Sequence, residues 1–307
     1  MKKTSLLTRL MTIACMATLI IIGCKKENSQ SELSPQQEEQ AASISTDAET
    51  QTEFASNDVF DNVLGTNDNV GMSGIGIFGR LDEHSLSSGQ VQRLDSAHCF
   101  TVTAKSLKDN SLFPLQVVID FGNGCLSNGH WRKGKVITVY TGRIIEAGKS
   151  ATTTFEDYTI DSLSISGTHI ITNTTSNNQR QFTVDITNGK LSLSKGNYIQ
   201  WNSHKVLTQT EGNGTPLVPF DDIFTLTGTS NGKVKNGDIL VAYNTNIETP
   251  LKKKFTCHWI TEGVIKVKRE TLSANSQWVA SINYGNGDCD NKAVLTINGT
   301  AHQIILH

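Results

Sequence analysis

The chain has 307 residues, with 27 basic and 29 acidic side chains and a formal net charge of −2. That balance leaves no basic surplus for a nucleic-acid footprint, so no nucleic-acid partner is expected. Only 18% of residues are charged while Thr, Ser, Asn and Gly abound, a mix that suits an exported β protein better than a cytosolic helical one.

Lys2, Lys3 and Arg9 precede an apolar run from Leu10 to Ile22 that only Thr12 and Thr18 interrupt, and Gly23-Cys24 follows. A charged start, a short apolar core and a small residue before the cut make residues 1–23 a signal peptide. The run is too short to span a bilayer. Gly23-Cys24 has the form of a lipobox, which predicts cleavage before Cys24 and acylation of its sulfur. An ordinary signal peptide or an uncleaved anchor would leave Cys24 incidental. Each buried acyl CH₂ contributes about 0.8 kcal/mol and one chain anchors marginally, so two or three chains hold a protein on a bilayer without a membrane-spanning helix. Losing residues 1–23 removes three positive charges and takes the net charge from −2 to −5.

Residues 24–52 are mostly Gln, Glu, Ser and Ala. Such a stretch buries too little to offset its ordering entropy and reads as a flexible tether. Within residues 53–97, Ala55, Val59, Phe60, Val63 and Leu64 recur at helical spacing and Gly65 sits where a helix-ending glycine belongs, so a short amphipathic helix is predicted over 53–64. The remainder to 97 is rich in Gly and Ser. Gly74, Gly76 and Gly79 copy the spacing of a dinucleotide loop, but no strand precedes them and no helix pattern follows, so they read as a connection.

From residue 98 to 307 the period becomes two. Leu163 and Ile165 alternate with serines; Phe182, Val184 and Ile186 alternate with Thr183, Asp185 and Thr187. This is the pattern of antiparallel strands with one buried face. Asn-Gly pairs begin at positions 123, 188, 213, 231, 236, 286 and 298 and read as tight turns. The expected fold is all-β: an antiparallel sandwich, or a flattened, partly open barrel, of a dozen or more strands.

One motif occurs twice. Ile119-Asp120-Phe121-Gly122-Asn123-Gly124-Cys125 is matched by Ile282-Asn283-Tyr284-Gly285-Asn286-Gly287-Asp288-Cys289. Cys99 and Cys257 open the strand before each copy, and Val136–Val139 and Val294–Ile297 follow, giving related units near 98–141 and 256–299. In an oxidising compartment the four cysteines have three possible connectivities, and the repeat favours Cys99–Cys125 with Cys257–Cys289. The loops so closed hold about 27 and 33 residues, for which chain entropy gives each bridge roughly 3.5 kcal/mol. Pairing across the units and buried free thiols are the alternatives.

No nucleophile elbow, zinc-protease helix motif or phosphate loop is present, and the eight histidines show no ligand spacing. No catalytic, cofactor or metal residue is assigned. Asn286, Asp288, Asp290 and Asn291 cluster oxygens in one turn, but Asx-rich turns are ordinarily just turns. Trp131, Trp201 and Trp278, with Tyr198, are the candidates for stacking on a sugar ring if they lie on an exposed face. Asp95-Ser96-Ala97 and Asp161-Ser162-Leu163 fit a short O-glycosylation pattern.

The lipobox at Cys24, Cys99 before a Thr-Val-Thr strand, Ile119 to Cys125, Gly134-Lys135 to Tyr140-Thr141-Gly142, Cys257 to Ile260 and Tyr284 to Asn291 together resemble a family of uncharacterised Bacteroidetes lipoproteins. The resemblance implies export and a β fold and supplies no activity. Lys25-Lys26-Glu27 is a partial match to the surface-export signal of such lipoproteins. The expected role is a non-enzymatic binding or structural protein of the envelope. It would be held to the outer membrane through acylated Cys24, facing periplasm or exterior, with a glycan or an envelope protein as partner. A fimbrial or adhesin subunit, or a carbohydrate-binding surface protein, is the alternative; an enzyme with an unfamiliar site is the third.

Overall fold

The alternating segments fold as strands, with apolar side chains on one face and Thr, Ser, Asn and Lys on the other. The computed structural model describes residues 35–64, 91–93, 99–127, 129–215, 219–270 and 280–306. Residues 1–34, the glycine-rich stretch 65–90, Asp95-Ser96-Ala97 and Trp278 lie outside them.

The first strands are β1 (Val91–Arg93), β2 (Thr101–Ser106), β3 (Leu115–Asp120), β4 (Cys125–Ser127) and β5 (His130–Tyr140). Long strands follow: β6 (Ser150–Ile160), β7 (Leu163–Asn173), β8 (Gln181–Ser192), β9 (Tyr198–Glu211), β10 (Ile223–Asn236) and β11 (Ile239–Lys254). The last are β12 (Glu262–Arg269), β13 (Ala280–Asn286), β14 (Lys292–Ile297) and β15 (Thr300–Ile305). All pair antiparallel with their sequence neighbours in a single meander from β1 to β15, except that β4 pairs only with β5. The strands form one continuous antiparallel sheet that does not close on itself. Along β8, Phe182, Val184 and Ile186 point inward and Thr183, Asp185 and Thr187 outward. That is the reverse of a lipid-facing barrel, whose outer band is apolar.

Glycines at bulges curl the sheet. Gly134, Gly167, Gly228 and Gly263 sit at register shifts in β5, β7, β10 and β12. At Gly228, φ is +136° and an added Cβ would lie 2.2 Å from the His204 carbonyl oxygen of β9. At Gly167, φ is +114° and the Cβ would lie 2.6 Å from the Asn188 carbonyl. Only glycine fits such close backbone approaches, and the extra residue raises the local twist.

The stretches of the repeated motif fall in comparable places, although Cys257–Ile260, expected to open a strand, lies in the loop before β12. β2-β3-β5 and β12-β13-β14 are three-strand meanders near the two ends of the sheet. Cys99 is bonded to Cys125 and Cys257 to Cys289, each bridge internal to its unit. The curl brings the units face to face: the rings of His130, in β5, and His258, before β12, are 5.3 Å apart, and Phe54 packs on both.

The helix departs from expectation. It is α1, Pro35–Leu64, and starts well before Glu53, so the stretch 35–52, read above as tether, is helical. It lies along the concave face of the sheet and meets strands from β5 to β14. From Ala48 to Leu64 no residue is exposed. A helix buried all round is ordinarily apolar all round. This one has six large apolar residues, Ile44, Phe54, Val59, Phe60, Val63 and Leu64, among thirty. Its hydroxyls bond back to the preceding turn, Ser45 to the Ala41 carbonyl and Thr46 to that of Ala42. Such bonds satisfy polar groups that low hydropathy alone marks for solvent.

Candidate functional site

Among the described residues, two regions concentrate polar chemistry. One is the seat of α1 inside the curl. The other is a cleft on the outer face.

Inside, the acidic helix meets a basic wall. Asp58 takes both Arg132 guanidinium nitrogens, at 2.8 and 2.6 Å, and Arg132 also donates to Tyr158 Oη at 2.6 Å. Burial alone would raise the Asp58 pKa; the Arg132 charge and its hydrogen bonds reverse this and hold the carboxyl below its usual range. Lys205 of β9 pairs with Glu53 and lies 3.9 Å from Glu49. Burial works against the Lys205 charge, but the two glutamates prevail and raise its pKa. Glu49 accepts from Ser230 Oγ at 2.9 Å and Thr245 Oγ1 at 3.2 Å. Burial there outweighs Lys205 and raises the carboxyl. Lys253 reaches Asp61 at 3.0 Å, and Arg269 pairs with Glu38. One signal for this wall lies in the sequence itself. Lys205 falls in the inward register with Ile199, Trp201 and Leu207, where an unpaired charge is not tolerated.

Outside, a cleft of about 430 Å³ crosses β7 to β11 and ends at Glu270. Asn188, Lys190, Gln200, Asn202, Asn231 and Lys233 line it, with Ser166 at its edge. Asn202 binds the row together: its Oδ1 accepts from the Asn188 backbone N–H at 2.9 Å, and its amide nitrogen reaches Asn231 Oδ1 at 3.4 Å. Lys190 lies over the Tyr198 ring at 5.6 Å. Two Asn-Gly pairs expected as turns, Asn188-Gly189 and Asn231-Gly232, lie within strands here. Each glycine makes room for an inward ring: a Cβ on Gly189 would meet Trp201 at 2.8 Å, and one on Gly232 would meet Tyr243 at 2.5 Å. The other pairs do terminate strands; Asn298-Gly299 joins β14 to β15 with positive φ at both residues.

The tryptophans proposed for sugar stacking divide. Trp201 is 5% exposed on the inward face of β9, and it also borders the outer cleft, next to Gly189. Its position in β9 is in phase with Ile199 and Leu207, so it turns inward with them. Trp131 is 53% exposed on β5, opposite exposed Leu126 and away from the cleft. Trp278 lies outside the described residues. Asp290, in the oxygen-rich turn, caps its own chain by accepting from the Lys292 N–H at 3.0 Å. Among the described residues no three His, Cys, Asp or Glu side chains converge as metal ligands do. Asp161 is engaged by His130 Nδ1 at 2.7 Å and the Trp131 N–H at 2.9 Å, at the turn before exposed Ser162.

Comparisons with family models, curated proteins and solved structures give no match.

Proposed function

We propose that the chain is a lipid-anchored envelope protein with a non-enzymatic binding role, and that its outer cleft takes a glycan. The carrying observation is the row of side-chain amides from Asn188 through Asn202 to Asn231, with Gln200 beside it. Each amide offers both a donor and an acceptor, the pairing that vicinal hydroxyls need. The cleft's volume falls in the range of ligand sites, and Lys190 and Lys233 facing one Glu270 favour a neutral or acidic sugar. The leader at 1–23 and Cys24 supply the anchor, on an outer membrane, in this reading. A glycan array of the purified chain should show binding that Asn202→Ala with Asn231→Ala lowers at least tenfold. An array without a hit, or binding indifferent to both changes, would end the reading.

The adhesin alternative has one supporting feature. β15 is an edge strand, and its Ile305 is 62% exposed. Edge strands accept a strand from another chain. Polymers seen by electron microscopy, and lost when proline replaces His302, would favour it.

A further inference from the structure

Two rows of side chains run across the strands of the outer cleft. In the first, Asn202 of β9 stands level with Asn231 of β10, and Asn231 with Asn244 of β11. Asn188 of β8 completes the row, its backbone N–H bonded to the Asn202 side chain. In the second row, Gln200 of β9 stands level with Lys190 of β8 and Lys233 of β10, and Lys233 with Ala242 of β11. Glu270, whose N–H donates to the Ala242 carbonyl at 2.9 Å, ends this row. Each row takes one step per strand, at an interval of about 4.8 Å. The rows lie two residues apart along the strands, about 7 Å. Gly189, Trp201 and Gly232 line the floor between them.

That geometry selects a shape. A trench as wide as a sugar ring, with a polar group at each step, fits a linear chain laid across the strands, one sugar per strand. A single sugar or a branched terminus would use one step of the four. The sheet's twist turns each step by about 20–25°, which the torsions of a glycosidic chain can follow.

The charges select a sequence of sugars. Lys190 and Lys233 stand on alternate strands, with uncharged Gln200 between them in the same row. Positive charge therefore recurs at every second step, roughly 10 Å apart. Lys190 is steadied by the Tyr198 ring beneath it, at 5.6 Å. A lysine is a compact charge with three donors, suited to a carboxylate, whereas an amide offers a donor and an acceptor to hydroxyls.

We propose that the cleft binds a linear polysaccharide in which an acidic sugar alternates with a neutral one, its carboxylates received by Lys190 and Lys233. This rests on the glycan reading of the cleft and names the class of chain. A neutral chain leaves both lysines without a counter-charge. A chain acidic at every sugar sets its extra carboxylates where no cation stands, the last of them towards Glu270.

The test is calorimetric titration of the full chain with oligosaccharides of equal length and different charge pattern. Hyaluronan tetrasaccharide carries a carboxylate on alternate sugars, tetragalacturonate one on each, and cellotetraose none. The hyaluronan tetrasaccharide should bind one to one, at least tenfold tighter than either of the others and at least tenfold tighter than hyaluronan disaccharide. Lys190→Gln with Lys233→Gln should erase its advantage over cellotetraose. Asn244→Ala, at the far end of the amide row, should weaken the tetrasaccharide at least threefold. Equal or tighter binding of cellotetraose or tetragalacturonate, or a disaccharide that matches the tetrasaccharide, would overturn this inference and leave the glycan reading standing. No binding by any of the four would also overturn it, and the glycan array then decides the broader reading by itself.

Discussion

Arg132 and Asp58 show what burial demands of one pair of side chains. Arg132 is 1% exposed and its guanidinium is held by one carboxylate, one tyrosine hydroxyl and the Ser127 carbonyl. Removing one partner leaves a charge that the interior does not solvate, a loss of about 3–5 kcal/mol, whereas an apolar pair of similar volume is often neutral. Urea unfolding should therefore show Asp58→Ala destabilised by about that amount, with Asp58→Leu combined with Arg132→Met recovering most of it. His169, buried on β7, gives a pH dependence. Burial lowers its pKa from 6.5 to about 4, against the Ser56 backbone, which pulls the other way. The unfolded chain takes up this proton near 6.5 and the folded chain only near 4. Its stability is thus full above about 6.5 and declines as pH falls through that window, by on the order of 3 kcal/mol. His258, lowered to about 4 mainly by burial and then by His130, acts in the same direction. Urea midpoints at pH 7.5 and 4.5 should converge in His169→Leu relative to the native chain.

At the scale of elements, strands and bridges were legible in the sequence and the helix was only partly so. Alternation at Phe182, Val184 and Ile186 is a direct image of a half-buried strand. The duplicated glycine turn with its cysteines placed both disulfides because a hairpin unit brings its own ends together. The low apolar content of residues 35–52 has the look of disorder, while their order comes from partners far along the chain: Arg269 for Glu38, Ser230 and Thr245 for Glu49. No local pattern encodes those distances. The outer cleft was hidden for a related reason. Asn188-Gly189 and Asn231-Gly232 have turn chemistry, and only the rings of Trp201 and Tyr243 beneath them explain glycine inside a strand. Bulge glycines bear on stability as well. Gly228→Ala combines positive φ with a backbone clash, so a loss of about 2–3 kcal/mol is expected, lowering the thermal midpoint by several degrees.

For the whole molecule, the sequence conveyed the β class, left sandwich and partly open barrel both standing, and left the curl unspecified because register shifts at Gly134, Gly167, Gly228 and Gly263 arise between strands and not within them. The proposed anchor at Cys24 is tested at this scale too. Cys24→Ala should abolish incorporation of an alkyne-labelled fatty acid in the producing cell and move the chain from the membrane pellet to the soluble fraction. Persistence of label in that variant would assign the acylation elsewhere.

The meander also sets an order of assembly. Each strand pairs with a near neighbour in sequence, so the sheet can zip locally from its first edge to its last. The amino-terminal helix emerges earliest, yet its counter-charges run from Arg132 to Arg269. The helix's acids thus find their partners one after another, Asp58 first at Arg132 and Glu38 last at Arg269, so its seat is finished only near the end of the chain.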